Sequence, residues 1–241
     1  MKLCFQLSCP QIIEGFMIIS VTSLKGGVGK STIAQNLAVC FAHSEYSVCI
    51  VDVDTNQSAL RWSAQRDDDL PAVPVYGLTD GMELSKNVKH LNQSHEIVII
   101  DGTPSLSQVT SKIILLADIL IIPILPSGID VWATEKFIER YRDAEQQKEE
   151  TIPAYFLINQ NQSTNLSKEV KEVLESTGID VFNTSLKNRI AYREAVIKGV
   201  GVYEYKDDKA KTEMVDLFQE VKRAITKLNK ESSYGKKRNR A

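Results

Sequence analysis

Cysteine is scarce in this chain, and none follows Cys49. The four cysteines are Cys4, Cys9, Cys40 and Cys49. Their spacing matches no zinc-binding pattern. Cys40 and Cys49 fall in a predicted helix and a predicted strand, where buried thiols are common. We therefore predict no zinc site and expect a reducing, cytosolic compartment.

Long apolar runs are also missing. No stretch reaches the roughly 18 apolar residues that a membrane-spanning helix needs. Residues 1–16 lack a small-residue cleavage site and lead directly into an apolar run, so a signal peptide is not predicted. We interpret residues 1–16 as an N-terminal extension and expect translation of the native protein to begin at Met17.

Positive charge is concentrated at the end of the chain. The 241 residues are 43% apolar, enough for a sizeable core, and the net charge is −2. From Lys222 onward there are eight basic residues and one acidic residue, so this segment carries +7 and the rest of the chain −9. The pattern fits a solvated last helix followed by a flexible basic tail at 231–241. It fits equally a contact with nucleic acid or with a membrane surface.

Apolar runs alternate with segments of helical periodicity along the whole chain. Seven strands are predicted, at 16–23, 46–54, 72–77, 95–101, 118–126, 154–159 and 179–186. Strands that alternate with helices predict an α/β fold, with a mostly parallel, doubly wound sheet and helices on both faces. We predict one domain over 17–230, with ligands at the carboxyl ends of the strands.

A glycine-rich segment, "SVTSLKGGVGKST" at 20–32, lies between the first predicted strand and helix. Small residues let backbone N–H groups turn toward phosphate oxygens, and the helix N-terminus adds positive potential. Lys30 is expected to reach the β- and γ-phosphates, and the Ser31 hydroxyl to bind Mg²⁺. The segment therefore predicts a phosphate-binding loop made of Gly26, Gly27, Val28, Gly29, Lys30, Ser31 and Thr32.

The loop departs from the usual G-x-x-x-x-G-K-[ST] pattern at one position and adds a second lysine. The pattern requires glycine at position 24, where this chain has Leu24. Lys25, beside it, has no counterpart in the usual loop. The residues alone leave open whether Lys25 is a solvated loop lysine or part of the site.

Three aspartates stand at the ends of two other apolar strands. Asp52 and Asp54 follow "CIV", and Asp101 follows "IVII". Residues two apart on a strand point to the same face. A carboxylate at a strand end beside a phosphate loop holds Mg²⁺, usually through water. These aspartates predict a Mg²⁺ site beside the phosphate loop, with Asp52 and Asp101 as the metal-binding carboxylates.

Four segments together resemble the ParA-type partition ATPases. They are "KGGVGKST", "VDVDTNQSALRW", "IVIIDGTPSLS" and "IIPILPSGIDVWA". These ATPases belong to the deviant Walker A group of P-loop NTPases, with MinD and the nitrogenase iron protein, and the resemblance runs from about Met17 to the last helix. It implies a Mg²⁺-dependent ATPase that forms a sandwich homodimer with ATP. It also implies that Lys25 reaches the partner's nucleotide and acts with Lys30 in catalysis.

The resemblance assigns further roles by position. Asp54 matches the aspartate that helps to place the attacking water, and Asp101 matches the Walker B acid. Residues 102–107 match the switch that senses the γ-phosphate, and Asn159 lies where the group often contacts adenine. Thr55-Asn56 replaces the Pro-Gln of many members, which leaves the rigidity of this loop and the hydrolysis rate open.

Two relatives within the group are disfavoured by what the chain lacks. The nitrogenase iron protein needs cluster-binding cysteines after the loop, and none follows Cys49. MinD-like proteins end in an amphipathic helix with bulky apolar residues, whereas Tyr234 is the only large apolar residue of 231–241. We therefore expect no stable membrane binding.

The resemblance also implies non-specific binding to double-stranded DNA. Such binding depends on phosphate contacts and weakens steeply with salt. The predicted DNA-binding residues are Lys187, Arg189, Arg193, Lys222 and Arg223. Each of them is also compatible with ordinary surface charge.

The prediction from these patterns is a small, nucleoid-associated partition ATPase without a helix-turn-helix extension. Its ATP-bound dimer would hold DNA until a centromere-binding ParB-type partner stimulates hydrolysis. Three alternatives share the phosphate loop. They are a MinD-like ATPase on a membrane or protein scaffold, an adaptor that positions another cargo, and an amidoligase-type biosynthetic enzyme.

Overall fold

The computed structural model describes residues 15–105, 107–126, 130–162 and 164–238, and these contain seven strands and eight helices. The strands are β1 (Met17–Val21), β2 (Val48–Asp52), β3 (Val75–Gly77), β4 (Ile97–Asp101), β5 (Ile119–Ile124), β6 (Ala154–Ile158) and β7 (Asp180–Val181). The helices are α1 (Lys30–His43), α2 (Ser58–Ser63), α3 (Leu84–Leu91), α4 (Gln108–Leu116), α5 (Asp130–Lys148), α6 (Thr164–Glu175), α7 (Ile190–Ile197) and α8 (Asp208–Arg238).

All seven strands pair in parallel, in the order β3-β2-β4-β1-β5-β6-β7. Every residue of β1, β2, β4 and β5 is buried, which is why these strands read as continuous apolar runs. β1 lies between β4 and β5, where the strand order reverses. In parallel sheets this point opens a crevice beyond the strand ends, and the glycine-rich loop follows β1 there. The predicted fold class is confirmed.

Helices cover both faces of the sheet. Successive residues of β1 point to opposite sides: Ile19 packs in the cluster that contains α1 and α8, and Ile18 packs in the cluster that contains α3. On the first side, the Phe41 ring of α1 meets the Phe218 ring of α8 edge to face, with centroids 4.9 Å apart. A third cluster joins α4, α5 and β6. The loop after β1 therefore rests on a rigid, two-sided core.

Two boundaries differ from the sequence prediction. The strand predicted at 179–186 is regular only over Asp180–Val181. Phe182 N still donates to the Phe156 carbonyl of β6, but the two N–H groups after it turn to a side chain of α8. Asn183 N and Thr184 N donate to the Glu220 carboxylate at 2.8 and 2.7 Å. At the end of the chain, α8 continues to Arg238, so the boundary predicted at residue 230 falls inside a helix. Residues 1–14 of the predicted extension, and 239–241, lie outside the described residues.

None of the described helices is both long enough and apolar enough to cross a bilayer.

Candidate active site

The glycine-rich loop connects the end of β1 to the first residue of α1. Gly27 and Gly29 have φ angles of 74° and 90°, a left-handed backbone that glycine adopts without strain. At Gly29 a Cβ atom would also lie 2.3 Å from Asn159 Nδ2. The Gly29 carbonyl accepts the Ile33 N–H at 2.9 Å, which begins α1. Both backbone shape and space therefore require glycine at position 29.

Lys30 lies inside the loop rather than in solvent. Its side chain is buried, and Nζ donates to the Lys25 carbonyl at 2.8 Å. Burial lowers the pKa of Lys30, while the charges of Asp101 and Asp54 act to raise it. The ammonium group is thus placed among the residues predicted to handle phosphate and metal.

Asp101, at the end of β4, is a fully buried carboxylate. Neither of its oxygens makes a hydrogen bond of normal geometry to a residue in the described part of the chain. Burial raises its pKa to about 8, against the opposing effects of the Ser31 hydroxyl and the Lys30 ammonium. An unpaired buried carboxylate is costly, and a cation would remove the cost. Asp101 and Ser31 therefore fit the expected Mg²⁺ site.

In the part of the chain that the structure describes, protein side chains alone do not form a complete cage for the metal. Among the residues described, no three His, Cys, Asp or Glu side chains are grouped so that they could hold a metal ion. Mg²⁺ in nucleotide sites is typically held by one or two carboxylates together with substrate phosphates. The residues present are therefore sufficient only when phosphate completes the site.

Asp52 has a structural role that the sequence prediction missed. Its Oδ2 accepts the N–H groups of Ala59 and Leu60 at 2.8 and 3.1 Å, and its Oδ1 accepts Asp54 N at 3.2 Å. Such bonds satisfy donors at a helix N-terminus that would otherwise lack partners. The Oδ2 atom is thus committed to the start of α2 and the Oδ1 atom to the turn before it, which argues against the predicted role of Asp52 as a metal ligand.

Asp54 lies on the turn between β2 and α2. Its Oδ1 accepts the Asn56 N–H at 2.9 Å, and its carbonyl accepts the Gln57 N–H at 2.9 Å. The side chain is half-buried and its charge reaches Lys30. The turn is therefore closed by its own hydrogen bonds although it lacks the Pro-Gln pair. The water-placing role of Asp54 stays a prediction.

Leu24 and Lys25 occupy the part of the loop that departs from the usual pattern. Leu24 is half-buried and packs against the cluster of α5 and β5, so a core contact replaces the expected glycine. Lys25 is half-buried beside the exposed Gly26 and Gly27. Its carbonyl accepts the bond from Lys30, and the predicted reach of its side chain across a dimer stays a prediction.

Two residues after β6 contact the loop from behind. Asn159 Nδ2 donates to the Val28 carbonyl at 2.7 Å, and Gln160 Nε2 donates to the Gly27 carbonyl at 2.9 Å. Asn159 thus contacts the backbone of the predicted phosphate-binding loop. Its predicted adenine contact stays a prediction. Gln160 had no signal in the sequence, since a lone glutamine after a strand is common on surfaces.

The switch predicted at 102–107 begins with a glycine that has no space for a side chain. A Cβ atom on Gly102 would lie 2.5 Å from Thr22 Oγ1. Its N–H donates to the Val21 carbonyl at 2.9 Å, so β1 and the switch meet directly beside the loop. Leu106 lies outside the described residues.

The predicted DNA-binding residues do not form one patch. Arg193 is exposed, whereas Arg189 is held by the Glu213 carboxylate, with Nε 3.1 Å from both oxygens. Glu213 also accepts the Lys187 N–H at 3.2 Å. Arg223 is exposed, but it lies ten residues beyond Glu213 along α8, which is about 15 Å by helical rise.

Lys222 is a correction to the predicted DNA-binding set. It is only 2% exposed, and its Nζ lies 5.8 and 5.7 Å from the ring centroids of Tyr46 and Phe218. The long side chain packs over aromatic faces, where cation–π attraction stabilises the ammonium. It is therefore not available to bind a phosphate.

A loop after α7 joins the helices of the site, and no pattern in the sequence predicted this. Asn36 Oδ1 of α1 accepts Val202 N at 2.7 Å, and Trp62 Nε1 of α2 donates to the Val200 carbonyl at 3.2 Å. A Cβ atom on Gly199 would lie 2.3 Å from the Gln65 backbone. The segment 199–204 therefore links the helix after the phosphate loop, the helix after Asp54 and α7.

The parallel sheet, the loop at the reversal of strand order, and the buried lysine and aspartate define a P-loop nucleotide-binding protein. Residues 19–202 match the family described as the CobQ/CobB/MinD/ParA nucleotide binding domain, and the chain belongs to this family. The resemblance to ParA-type ATPases predicted from the four motifs is confirmed.

Individual relatives agree with this assignment. The chain is 31% identical over 192 residues to Maintenance of carboxysome distribution protein A of Halothiobacillus neapolitanus. The aligned region covers 77% of this chain and 86% of the relative. It is 28% identical over 182 residues to Protein ParA of Rhizobium radiobacter, with coverages of 73% and 80%. The fold matches that of the septum site-determining protein MinD of Pyrococcus horikoshii, complexed with Mg-ADP, with a TM-score of 0.69 and 21% identity. That match covers 85% of this chain and 95% of the other.

Proposed function

We propose that this protein is a Mg²⁺-dependent ATPase that positions a cargo by binding DNA in an ATP-controlled way. The observation that carries the proposal is that buried Lys30 lies within charge range of the buried Asp101 carboxylate, whose oxygens make no hydrogen bond of normal geometry among the described residues. A site of this kind is incomplete until a phosphate–metal complex enters it. Membership of the MinD/ParA family makes ATP the nucleotide expected there.

The residues of the site divide the work of hydrolysis. The loop N–H groups and the Lys30 ammonium hold the phosphates and balance their charge. Ser31 and Asp101 would hold Mg²⁺, which would neutralise the charge that develops on the phosphate oxygens. Asp54, beside Lys30, orients the attacking water. Lys25 acts at the nucleotide of a second subunit, where two facing triphosphates would otherwise repel each other.

Binding to DNA then depends on the dimer. One subunit exposes few of the predicted basic residues together, since Lys222 is buried and Arg189 is paired. Two subunits closed by ATP double the basic surface, and phosphate contacts add up along the duplex. The monomer left after hydrolysis releases the DNA, which places the protein on the nucleoid only in its ATP state.

DNA segregation is the first candidate for the cargo system. The 28% identity to Protein ParA supports it, and a centromere-binding ParB-type partner would stimulate hydrolysis. A second candidate is a large protein compartment. It is favoured by the 31% identity to a protein named for maintenance of carboxysome distribution, and it would use an adaptor on the compartment instead of a centromere-bound partner.

The test of the ATPase and DNA steps compares ATP–Mg²⁺ with ADP–Mg²⁺. Retention on random-sequence duplex DNA is measured at about physiological salt for the wild type and for Lys25→Ala. We expect retention only with ATP, and loss of both retention and the ATP-bound dimer in Lys25→Ala. Equal retention in both nucleotides, or an unchanged dimer by light scattering in the variant, would contradict the proposal.

The cargo is tested separately, by locating the labelled protein and its partners in cells. Segregation predicts that deletion raises the loss rate of one replicon, and that the partner binds a specific DNA site. Compartment positioning predicts clustered compartments and stable replicons. ATP-dependent binding to liposomes, with none to DNA, would instead favour the MinD-like alternative, and turnover of a small-molecule substrate the amidoligase-type alternative.

A further inference from the structure

The segment after β6 holds the phosphate loop through two consecutive carbonyl groups. Asn159 Nδ2 donates to the Val28 carbonyl at 2.7 Å and Gln160 Nε2 to the Gly27 carbonyl at 2.9 Å. Both distances lie within the normal range for hydrogen bonds from an amide nitrogen to a carbonyl oxygen. The two contacts connect residues more than 130 positions apart in the chain, so they are tertiary features of the site.

These contacts fix the direction of the loop N–H groups. A peptide unit is planar and trans, so its C=O and N–H point in opposite directions. The Gly27 carbonyl shares its peptide unit with the Val28 N–H, and the Val28 carbonyl shares its unit with the Gly29 N–H. When both carbonyls are held outward, both N–H groups must point into the loop, where they can donate to phosphate oxygens.

The segment that carries these side chains is itself anchored on both sides. Asn159 N donates to the Ile124 carbonyl of β5 at 2.8 Å, and Asn161 N donates to the Leu186 carbonyl at 2.9 Å. Gln160, between them, has a left-handed backbone with a φ angle of 53°. This conformation is unfavourable for a residue other than glycine. The hydrogen bond from the Gln160 side chain to the Gly27 carbonyl acts against this cost.

We propose that Gln160 and Asn159 are positioning residues that hold the phosphate loop in its phosphate-binding shape. This inference rests on the proposed ATP site. Asn159 is 6% exposed and fills space beside Gly29, so its removal would disturb folding as well as binding. The hydrogen bond from Gln160 to the loop is exposed to solvent. A substitution at Gln160 therefore separates the effect on binding from the effect on folding.

The experiment measures the affinity of two probes, ATP–Mg²⁺ and inorganic triphosphate–Mg²⁺, by calorimetry. Gln160→Met keeps the volume and removes the donor. Gln160→Gly removes the donor and relieves the left-handed backbone. We expect both variants to bind both probes with about threefold to tenfold lower affinity, which is the effect of losing one hydrogen bond. The unfolding temperature without nucleotide should stay close to wild type in Gln160→Met and should not fall in Gln160→Gly.

Gln162→Met is the matched control, because Gln162 is exposed and only two residues away. It should leave both affinities unchanged. Loss of ATP affinity with unchanged triphosphate affinity would assign Gln160 to the adenine base and overturn the inference. Wild-type affinity in both Gln160 variants would also overturn it. If the wild type itself bound neither probe, the proposed ATP site would fail first.

Discussion

Arg66 and Glu204 form a buried ion pair that joins the end of α2 to the loop after α7. The Arg66 Nη2 atom lies 2.6 Å from Glu204 Oε1, and the two side chains are 6% and 4% exposed. His43 Nε2, at the end of α1, lies 2.8 Å from the same oxygen. Glu204 Oε2 also accepts the Gly201 N–H at 2.9 Å. One carboxylate thus ties together both helices that follow the nucleotide loops.

We expect Glu204→Gln to lower the free energy of unfolding by about 3–5 kcal/mol, the usual cost of leaving one member of a buried pair without its partner. Urea denaturation monitored by circular dichroism measures the change. Glu194→Gln is the control, since Glu194 is exposed and its carboxylate accepts only the Tyr205 hydroxyl among the contacts observed. A loss no larger than that of the control would show that the ion pair contributes nothing to stability.

The same carboxylate predicts how stability depends on pH. Burial acts to raise the pKa of Glu204, but the bonds from Arg66 and His43 outweigh it and lower the pKa from 4.5 to about 2. A group with a lowered pKa in the folded state stabilises the protein above its unfolded pKa. Its contribution is therefore complete above about pH 4.5 and is lost as the pH falls toward 2. Unfolding midpoints measured across this window should fall more steeply in the wild type than in Glu204→Gln, and parallel curves would contradict the prediction.

Asp101→Asn should separate stability from activity. The substitution removes a buried carboxylate that makes no hydrogen bond of normal geometry among the described residues, so the unfolding temperature without nucleotide should not fall. Turnover of ATP should fall by about a hundredfold or more, because the metal contributes several kcal/mol to transition-state stabilisation. Thermal unfolding and phosphate release measure the two quantities on the same sample. A large drop in unfolding temperature would give Asp101 a structural role instead.

Glu213→Gln tests whether Arg189 serves DNA or the fold. The carboxylate holds the guanidinium, with Nη2 2.5 Å and Nε 3.1 Å from Oε1. If Arg189 binds phosphate in the ATP state, loss of the competing charge should raise affinity for random DNA by about threefold to tenfold, as for a hydrogen bond to a charged group. Affinity is measured by fluorescence anisotropy at two salt concentrations. Unchanged affinity in this variant and in Arg189→Ala would place the DNA site elsewhere.

The sequence was informative where structure depends on local pattern. The apolar runs of β1, β2, β4 and β5 predicted the buried strands, because a continuous apolar run is buried regardless of which strand pairs with it. The loop glycines predicted a phosphate site, because few other residues allow that backbone. The order of the motifs was enough to place Asp101 near Lys30, since parallel strands end at one edge of the sheet.

The sequence was less informative where a side chain chooses between partners. Asp52 caps α2, and Lys222 lies over aromatic rings. Each is nevertheless a residue type that commonly binds a metal ion or a phosphate. The pair Arg66–Glu204 connects residues 138 positions apart, and no local pattern marks it. The strand predicted at 179–186 ends early because the Glu220 carboxylate binds its backbone. Such choices depend on which groups the completed fold brings together.

The position of β1 in the sheet has a consequence for the order in which the protein matures on the ribosome. β1 is made first among the described strands, but its neighbours are β4 and β5, and the side chains that hold its loop are at Asn159 and Gln160. A nascent chain that ends before residue 159 therefore has every loop residue but neither of the side chains that hold the loop carbonyls outward. Nucleotide should bind such a chain more weakly than it binds the finished protein, so full affinity is reached only after about two thirds of the protein has been synthesised.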